Sequence, residues 1–288
     1  MPDLRPEESD VSLTNSHCPE PASAPSALPT FTHYLEQHDL PALDLRHLVK
    51  VFGNTVAVGD LSLSIPHGSF YGVVGPNGAG KTTTLLMATG MLTPDRGTSI
   101  VDGIDIWAQP QAAKKKLGVM PDGLRLFDRL PGAALIAYMG MIRGLTKDVA
   151  QERAHQLMNA LGLAEAGKKL VVDYSQGMTK KVALACSLVH APRVLVLDEP
   201  FEAIDPISAA GIEEILQAFV TGGGTVVLSS HVMATVQKLC SHVAIIDHGR
   251  VLAAGTTQEV GAGSDLDTRF RELVGGVTHA EGLEWLQH

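Results

Sequence analysis

The residues Gly75-Pro76-Asn77-Gly78-Ala79-Gly80-Lys81-Thr82 fit the phosphate-loop pattern G-x-x-x-x-G-K-[ST]. A short apolar strand, Phe70–Val74, is expected before it, and a helix from Lys81 to about Met91 is expected after it. Glycines let the backbone curl with its N–H groups turned toward an anion, and the start of a helix adds partial positive charge there. The sequence therefore predicts a phosphate-binding loop rather than a glycine-rich turn with a chance lysine.

Side chains at the end of this loop have the chemistry needed to bind ATP and Mg²⁺. We predict that Lys81 reaches the β- and γ-phosphates and acts in catalysis, and that the Thr82 hydroxyl coordinates Mg²⁺. The predicted ATP-binding residues of the loop are Gly75, Pro76, Asn77, Gly78, Ala79, Gly80, Lys81, Thr82 and Thr83.

A second apolar run, Val194–Leu197, ends in the two acids Asp198 and Glu199. A buried strand can deliver Asp198 beside the phosphate loop, where its carboxylate would hold Mg²⁺. Glu199 is then placed to orient or deprotonate an attacking water. Taken alone, this pattern also fits an ordinary strand whose acids cap the next turn, but the phosphate loop favours the Mg²⁺ role.

The composition is typical of a tightly packed α/β protein. Of the 288 residues, 45% are hydrophobic and only 5% are aromatic. No apolar run approaches the ~20 residues that span a bilayer, and the acidic N-terminus does not look like a signal peptide. We therefore expect a cytoplasmic chain. Its cysteines, Cys18, Cys186 and Cys240, lack metal-site spacing and are expected to be reduced thiols.

Charge and proline content set the N-terminal segment apart. Residues 1–40 contain seven acids and one base, so they carry −6 of the formal net charge of −9. We predict that this Pro/Ser-rich segment is a disordered tail, either a docking arm or a solvated extension. The rest of the chain is nearly balanced in charge, which argues against nucleic-acid binding through bulk charge.

Residues 41–256 are predicted to form one ATP-binding domain, and residues 257–288 a C-terminal extension. Leu43–Phe52 and Ala57–Ile65 are expected to pair as strands across a turn at Gly53-Asn54. A helical subdomain is predicted over about residues 123–190, where apolar residues recur at helical spacing. The strand pattern then returns, so the predicted fold class is α/β with a helical insertion.

The order of these motifs along the chain resembles that in the nucleotide-binding subunit of an ABC (ATP-binding cassette) transporter. The resemblance covers about residues 43–256. The resemblance implies a P-loop NTPase (RecA-like) core with an N-terminal antiparallel β subdomain, and ATP hydrolysis. Tyr174-Ser175-Gln176-Gly177-Met178 lies where the family has its L-S-G-G-Q signature, and Ser175 and Gly177 match it. In the family this segment faces the γ-phosphate on the opposite subunit. Local sequence alone also fits a helix N-cap at Ser175.

Further residues take their roles from the resemblance. His231 resembles the switch histidine that contacts the γ-phosphate. Phe52 occupies the place of the aromatic that stacks on adenine, or it is only a half-buried strand residue. Asp205 resembles the D-loop aspartate, although Glu202 stands where the family often has serine. Asp122 stands where the family usually has a glutamine that senses Mg²⁺ and the attacking water. It is either a third metal ligand or a turn residue.

The resemblance also implies partners. Two subunits, identical or related, would pack head to tail with each ATP between the phosphate loop of one and Ser175–Gly177 of the other. The signature form resembles bacterial export-type (ABC-2-like) cassettes, so a separate integral membrane subunit would be gripped by the helical insertion and by Asp122–Arg129. The chain would then be peripheral on the cytoplasmic face. Two alternatives stay open: a soluble ABC ATPase without transport, as in metal-cluster assembly, and a regulatory subunit with little turnover.

Overall fold

The structure, a computed structural model, describes residues 40–275. Its strands are β1 (Leu43–Phe52), β2 (Thr55–Ile65), β3 (Phe70–Val74), β4 (Arg96–Val101), β5 (Ile104–Asp105), β6 (Leu117–Met120), β7 (Val194–Leu197), β8 (Thr225–Ser230), β9 (His242–Asp247) and β10 (Arg250–Thr256). Its α-helices are α1 (Lys81–Ala88), α2 (Pro110–Lys116), α3 (Gly132–Ile142), α4 (Lys147–Ala160), α5 (Gln176–Leu188), α6 (Pro206–Thr221), α7 (Met233–Leu239), α8 (Thr257–Gly261) and α9 (Leu266–Val274). Apart from residue 40, the predicted disordered tail lies outside the described residues, as do residues 276–288.

An antiparallel sheet is built by the N-terminal strands, in the order β2-β1-β4-β5. Phe52 pairs with Thr55 across the expected turn, where Gly53 takes a left-handed backbone (φ 57°). Leu43 and Leu45 are buried at alternate positions of β1, which is the pattern of a strand with one face on a core. The predicted hairpin therefore forms.

The central sheet has the order β10-β9-β3-β8-β7-β6, in which β10 runs antiparallel to β9 and the other pairs are parallel. Strands β3 and β7 are buried along their whole length, which explains their unbroken apolar runs. Both lie beside β8, so the loops after their carboxyl ends meet at one edge of the sheet. The phosphate loop and the acids Asp198 and Glu199 follow these two strands.

Alternate side chains of the central strands enter two hydrophobic cores. Phe70 and Val74 of β3 pack in a core that includes α3, α4 and α5, whereas Tyr71 and Val73 pack in a core with the antiparallel sheet and α1. Strand β7 divides its side chains in the same way. Because both faces are covered, the sheet gives the loops at its edge a rigid support.

Helices α3, α4 and α5 lie between β6 and β7 and pack against one another. The contact between α3 and α4 is close at Gly140, where an added Cβ would lie 3.2 Å from the Cβ of Ala150. The predicted bounds of the ATP-binding domain, its helical subdomain and the C-terminal extension stay predictions.

Several helices differ from the sequence prediction, which gave none for α8 and α9. Helix α1 ends at Ala88 rather than at Met91, because Gly90 takes a left-handed backbone (φ 67°) that ends the helix. Helix α2 was not expected, and it begins with Pro110 at a position that tolerates a missing N–H. Within residues 40–275, no helix is long and apolar enough to cross a membrane.

Candidate active site

The phosphate loop connects β3 to α1 and packs closely against neighbouring strands. Gly80 caps the helix with a left-handed backbone (φ 97°), a conformation that other residues rarely adopt. A Cβ on Gly80 would lie 2.5 Å from the carbonyl oxygen of Ala57 in β2, and one on Gly75 would lie 2.2 Å from that of Ile246 in β9. Both positions therefore require glycine.

Backbone donors are left free around the start of α1. The loop makes one internal backbone hydrogen bond, from the N–H of Ala79 to the carbonyl oxygen of Pro76 (3.1 Å). Among residues 40–275, no acceptor is found for the N–H groups of Gly78, Gly80, Lys81 and Thr82. Free donors at a helix start form an anion site, since the helix dipole adds positive charge at the same place.

Lys81 is a buried cation held inside the loop. It is 7% exposed, and its ammonium group donates to the carbonyl oxygens of Gly75 (2.7 Å) and Pro76 (3.1 Å). Burial lowers the pKa of Lys81, while the charges of Glu199 and Asp198 oppose that shift. The buried charge is therefore stabilised from a distance by two acids, and a phosphate group would supply direct compensation.

Asp198 lies at the carboxyl end of β7 and is 3% exposed. Leu197 pairs with Leu228, so Asp198 comes beside Ser229 of β8, whose hydroxyl donates to Oδ1 of the carboxylate. The Asp198 N–H donates to the carbonyl oxygen of Met120 (2.8 Å). In the described part of the chain, Oδ2 accepts no hydrogen bond, which leaves one oxygen of a fixed carboxylate available for a metal ion.

Glu199 turns out of the strand at the next residue. Its backbone is left-handed (φ 47°), which is uncommon for a residue with a side chain. Its N–H donates to the hydroxyl of Ser229 (2.9 Å), and its Oε1 lies 3.0 Å from Nδ1 of His231. His231 is about half-exposed. Glu199 therefore faces an accessible site beside a histidine, whereas Asp198 is buried.

A polar cavity of about 400 Å³ brings the predicted catalytic residues together. It is lined by residues 77–83 of the loop and by Ala57, Asp122, Glu199, Glu202 and His231. Lys81, Glu199 and His231 thus meet at one site, whose volume is in the usual range of small-molecule pockets, ~300–1,000 Å³.

A neighbouring cavity of about 250 Å³ shares Asp122 and Glu202 with the first and is also lined by Asp198. Within the described residues, no three His, Cys, Asp or Glu side chains are grouped so that they could hold a metal ion by themselves.

Some predicted residues lie outside the polar cavity. The carbonyl oxygens of Gly75 and Pro76 accept hydrogen bonds from the Lys81 ammonium group. Ser175 caps α5, where its hydroxyl accepts from the N–H of Met178 (3.3 Å), and neither it nor Gly177 lines the cavity of its own chain. Phe52, at the end of β1, is 51% exposed and available for stacking.

Two residues of the site escaped the sequence analysis, namely Ser229 and Lys180. Ser229 could have been predicted from the sequence. It lies on the parallel strand next to β7, beside the acid at the end of that strand, where a hydroxyl can donate to the carboxylate. Lys180 donates to the carbonyl oxygen of Glu199 (3.0 Å). No spacing in the sequence indicates that contact, since it depends on how α5 packs beside the end of β7.

Fold and site define a phosphate-loop ATPase: a parallel sheet with a glycine-rich loop after one strand and an acid after another. A family model described as ABC transporter matches residues 58–202. The chain is 38% identical to the daunorubicin/doxorubicin resistance ATP-binding protein DrrA of Streptomyces peucetius, over 76% of this chain and 66% of the relative. It is 33% identical to the linearmycin resistance ATP-binding protein LnrL of Bacillus subtilis, over 83% of this chain and 76% of the relative.

Solved structures show the same architecture. The ATP-binding subunit of an ABC transporter aligns with a TM-score of 0.76 at 25% identity, over 81% of this chain and 99% of the other. A dimeric ATP-binding cassette in a post-hydrolysis state, bound to ADP and Pi, aligns with a TM-score of 0.69 at 21% identity, over 74% of this chain and 98% of the other.

The chain belongs to the ABC transporter family and is an ATP-binding subunit of the ATPase class. The predicted resemblance is confirmed, and so is the predicted P-loop NTPase core with an N-terminal antiparallel β subdomain.

Proposed function

We propose that this chain binds ATP with Mg²⁺ in the polar cavity and hydrolyses it to drive export through a separate membrane subunit. One observation carries the proposal: free N–H donors at the start of α1, the buried ammonium of Lys81 and the carboxylate of Glu199 all border one cavity. The donors and the ammonium offer positive charge for a triphosphate, and the carboxylate offers a proton acceptor.

Thr82 and Asp198 are the residues that would hold Mg²⁺, with Asp122 as a third ligand. Thr82 is exposed at the cavity, and Asp198 keeps one carboxylate oxygen without a hydrogen bond in the described chain. Hydroxyl and carboxylate oxygens suit this hard cation. When bound, Mg²⁺ neutralises charge on the phosphate oxygens.

Glu199 is proposed to be the general base. Its carboxylate accepts a proton from water as the water oxygen bonds to the γ-phosphorus and the bond from that phosphorus to the β–γ bridging oxygen breaks. His231, 3.0 Å from the Glu199 carboxylate, orients it and can contact the γ-phosphate. Lys81 stabilises the charge that develops on the phosphate oxygens.

A second ATP-binding subunit completes the site in this proposal. Ser175 and Gly177 lie outside the cavity of their own chain, although Ser175 caps a helix start of the kind that binds anions. Head-to-tail packing would place that helix start of one copy over the phosphate loop of the other. Closure would then depend on ATP, and hydrolysis would weaken it.

The proposed membrane partner docks beside the segment Asp122–Arg129. Phe127 is 62% exposed and Leu124 is also exposed, and together with Leu126 they border a cavity of about 310 Å³. These apolar side chains would suit contact with a helix of a partner. The resistance functions in the names of DrrA and LnrL favour export over a soluble role in metal-cluster assembly.

The proposal is tested by Glu199→Gln in the full-length chain. We expect ATP to remain bound and hydrolysis to fall by at least ~100-fold, since the amide cannot accept the proton. The unhydrolysed ATP should hold two copies together, so light scattering during size-exclusion chromatography with ATP and Mg²⁺ should show a dimer that disappears with ADP. Glu214→Gln, on the exposed side of α6, is the matched control and should behave as the unmodified chain.

Retained turnover in Glu199→Gln would contradict the role of the base. A chain that stays monomeric with ATP while turnover is lost would contradict the head-to-tail closure. Co-purification of the full-length chain with a membrane protein, extracted from native membranes, tests the transport part separately, and a chain that remains soluble with all membrane proteins present would favour the non-transport alternative.

A further inference from the structure

The catalytic loop after β7 needs support from outside its own backbone. Glu199 has a left-handed backbone (φ 47°), and Pro200 follows it. A residue with a side chain avoids this conformation, and a following proline restricts it further. The backbone of Glu199 therefore keeps this conformation because neighbouring groups hold its N–H and its carbonyl oxygen.

Those two backbone groups are held by three contacts. The N–H of Glu199 donates to the hydroxyl of Ser229 (2.9 Å), as described above. Its carbonyl oxygen accepts from the N–H of Glu202 (3.3 Å) and from the ammonium of Lys180 (3.0 Å). The Lys180 contact is the shorter of the two at the carbonyl, and it is the one that comes from a separate element.

Lys180 reaches the loop from α5, the helix that Ser175 caps. Its side chain is 15% exposed, so the ammonium lies in a partly desolvated position where a hydrogen bond to a carbonyl is strengthened. The same ammonium lies 3.6 Å from the Glu202 carboxylate, which lines the polar cavity. One cation thus joins α5 to the backbone of Glu199 and to a charged residue of the same loop.

We infer that Lys180 is a positioning residue for ATP hydrolysis, which holds the Glu199 carboxylate in place by fixing its backbone. This inference rests on the proposed role of Glu199 as general base. Lys180 lines the neighbouring cavity with Asp122 and Asp198, but not the polar cavity that residues 77–83 of the phosphate loop border. Its loss should therefore change the rate of hydrolysis and leave the binding of ATP intact.

The test compares Lys180→Met with Lys180→Arg in the full-length chain. Methionine keeps most of the apolar stem but removes the donor, whereas arginine restores a cationic donor. We expect kcat for Lys180→Met to fall about 10- to 100-fold, because a misplaced catalytic group costs that much in rate. KM for ATP should change little, and Lys180→Arg should recover part of kcat.

Lys181→Met is the matched control, since this neighbouring lysine of α5 makes no hydrogen bond or ion pair among the described residues. Its kcat should be that of the unmodified chain. The thermal melting of each variant shows whether the fold is retained. A full kcat in folded Lys180→Met would overturn the inference, as would an equal loss in Lys180→Arg.

A double variant separates this inference from the proposed function. If Lys180 acts only through Glu199, then Lys180→Met should add no further loss of rate to Glu199→Gln. Additive losses would show that Lys180 acts elsewhere, which overturns the inference. Normal turnover in Glu199→Gln alone would instead remove the proposed base, independently of what Lys180→Met does.

Discussion

Asp198 and Glu199 are adjacent in sequence, yet the fold gives their carboxylates different surroundings. Asp198 continues β7 and is buried beside Ser229, whereas the left-handed backbone of Glu199 turns its side chain toward His231 and the cavity. A fixed, buried carboxylate suits a metal ligand, and one that borders a cavity beside a histidine suits proton transfer. One change of backbone conformation thus gives these two neighbouring acids surroundings that match the separate roles proposed for them.

Asp122 allows a prediction about metal dependence. Its carboxylate borders both the polar cavity and the cavity lined by Asp198. If it is a third ligand, Asp122→Asn should raise the Mg²⁺ concentration needed for half-maximal ATP hydrolysis by about tenfold, as for the loss of ~1.4 kcal/mol of binding. Asp128→Asn, an exposed acid of the same segment, should leave it unchanged. An unaltered Mg²⁺ requirement in Asp122→Asn would assign Asp122 to the turn alone.

His190 allows a prediction about pH and stability. Its Nε2 lies 2.9 Å from the carbonyl oxygen of Leu117, and burial, assisted by Arg143 and Arg153, lowers its pKa from 6.5 to about 4. Between these values the unfolded state binds more protons than the folded state. The contribution of neutral His190 to the free energy of unfolding should therefore be greatest above pH 6.5. It should decrease as the pH drops toward 4, by less than ~1.4 kcal/mol per pH unit.

Urea unfolding between pH 4.5 and 7.5 measures this dependence. His190→Gln, which keeps a donor for the Leu117 carbonyl, should show a shallower fall in the free energy of unfolding than the unmodified chain. His155→Gln, at an exposed position of α4, should show the original slope. Equal slopes in all three proteins would mean that the titration of His190 does not affect stability.

At the level of elements, the phosphate loop is the point where the two sheets meet α1. Gly80 takes φ 97° with the Ala57 carbonyl of β2 close by, whereas Gly78 takes φ 82° with open space around it. We expect Gly78→Ala to lower the free energy of unfolding by about 1–2 kcal/mol through backbone strain alone. Gly80→Ala should cost clearly more, because the added Cβ also meets the carbonyl oxygen.

Chemical unfolding of both variants measures the difference, with Gly211→Ala as the control. Gly211 lies inside α6 with free space at its Cβ position and no left-handed backbone, so alanine there should stabilise by roughly 0.5–1 kcal/mol. An equal decrease in the free energy of unfolding for Gly78→Ala and Gly80→Ala would show that the contact of the added Cβ with β2 does not affect stability.

The strands next to the site could be predicted, because β3 and β7 are buried on both faces and read as unbroken apolar runs. Helix α2 could not, since its seven residues are mostly lysine, glutamine and alanine and bury only Ala113. The loop motif likewise predicted its glycines and Lys81. The motif could not predict the hydrogen bond from Lys180 to the Glu199 carbonyl oxygen. That contact depends on how α5 packs beside the end of β7 and not on the spacing of residues in the sequence.

At the scale of the whole molecule, the site is assembled mainly from the central sheet and helix α5, and Ala57 of the antiparallel sheet lines its cavity. The loop comes from β3, the acids from β7, the supporting serine from β8, and the ammonium of Lys180 from α5. Ser175 and Gly177 lie outside the cavity of their own chain, so the proposal assigns them to the site of a second subunit. In the proposed mechanism, a site divided between two subunits would make closure of the dimer depend on bound ATP.

Isothermal titration calorimetry of the purified full-length chain with ATP, with and without Mg²⁺, shows whether the phosphate loop and Lys81 bind ATP. We predict binding that strengthens with Mg²⁺ and weakens at least tenfold, about 1.4 kcal/mol, in Lys81→Ala, while Lys181→Ala binds as the unmodified chain does. Binding that does not depend on Mg²⁺, or an unchanged affinity for ATP in Lys81→Ala, would contradict the proposed binding of ATP and Mg²⁺ at the phosphate loop.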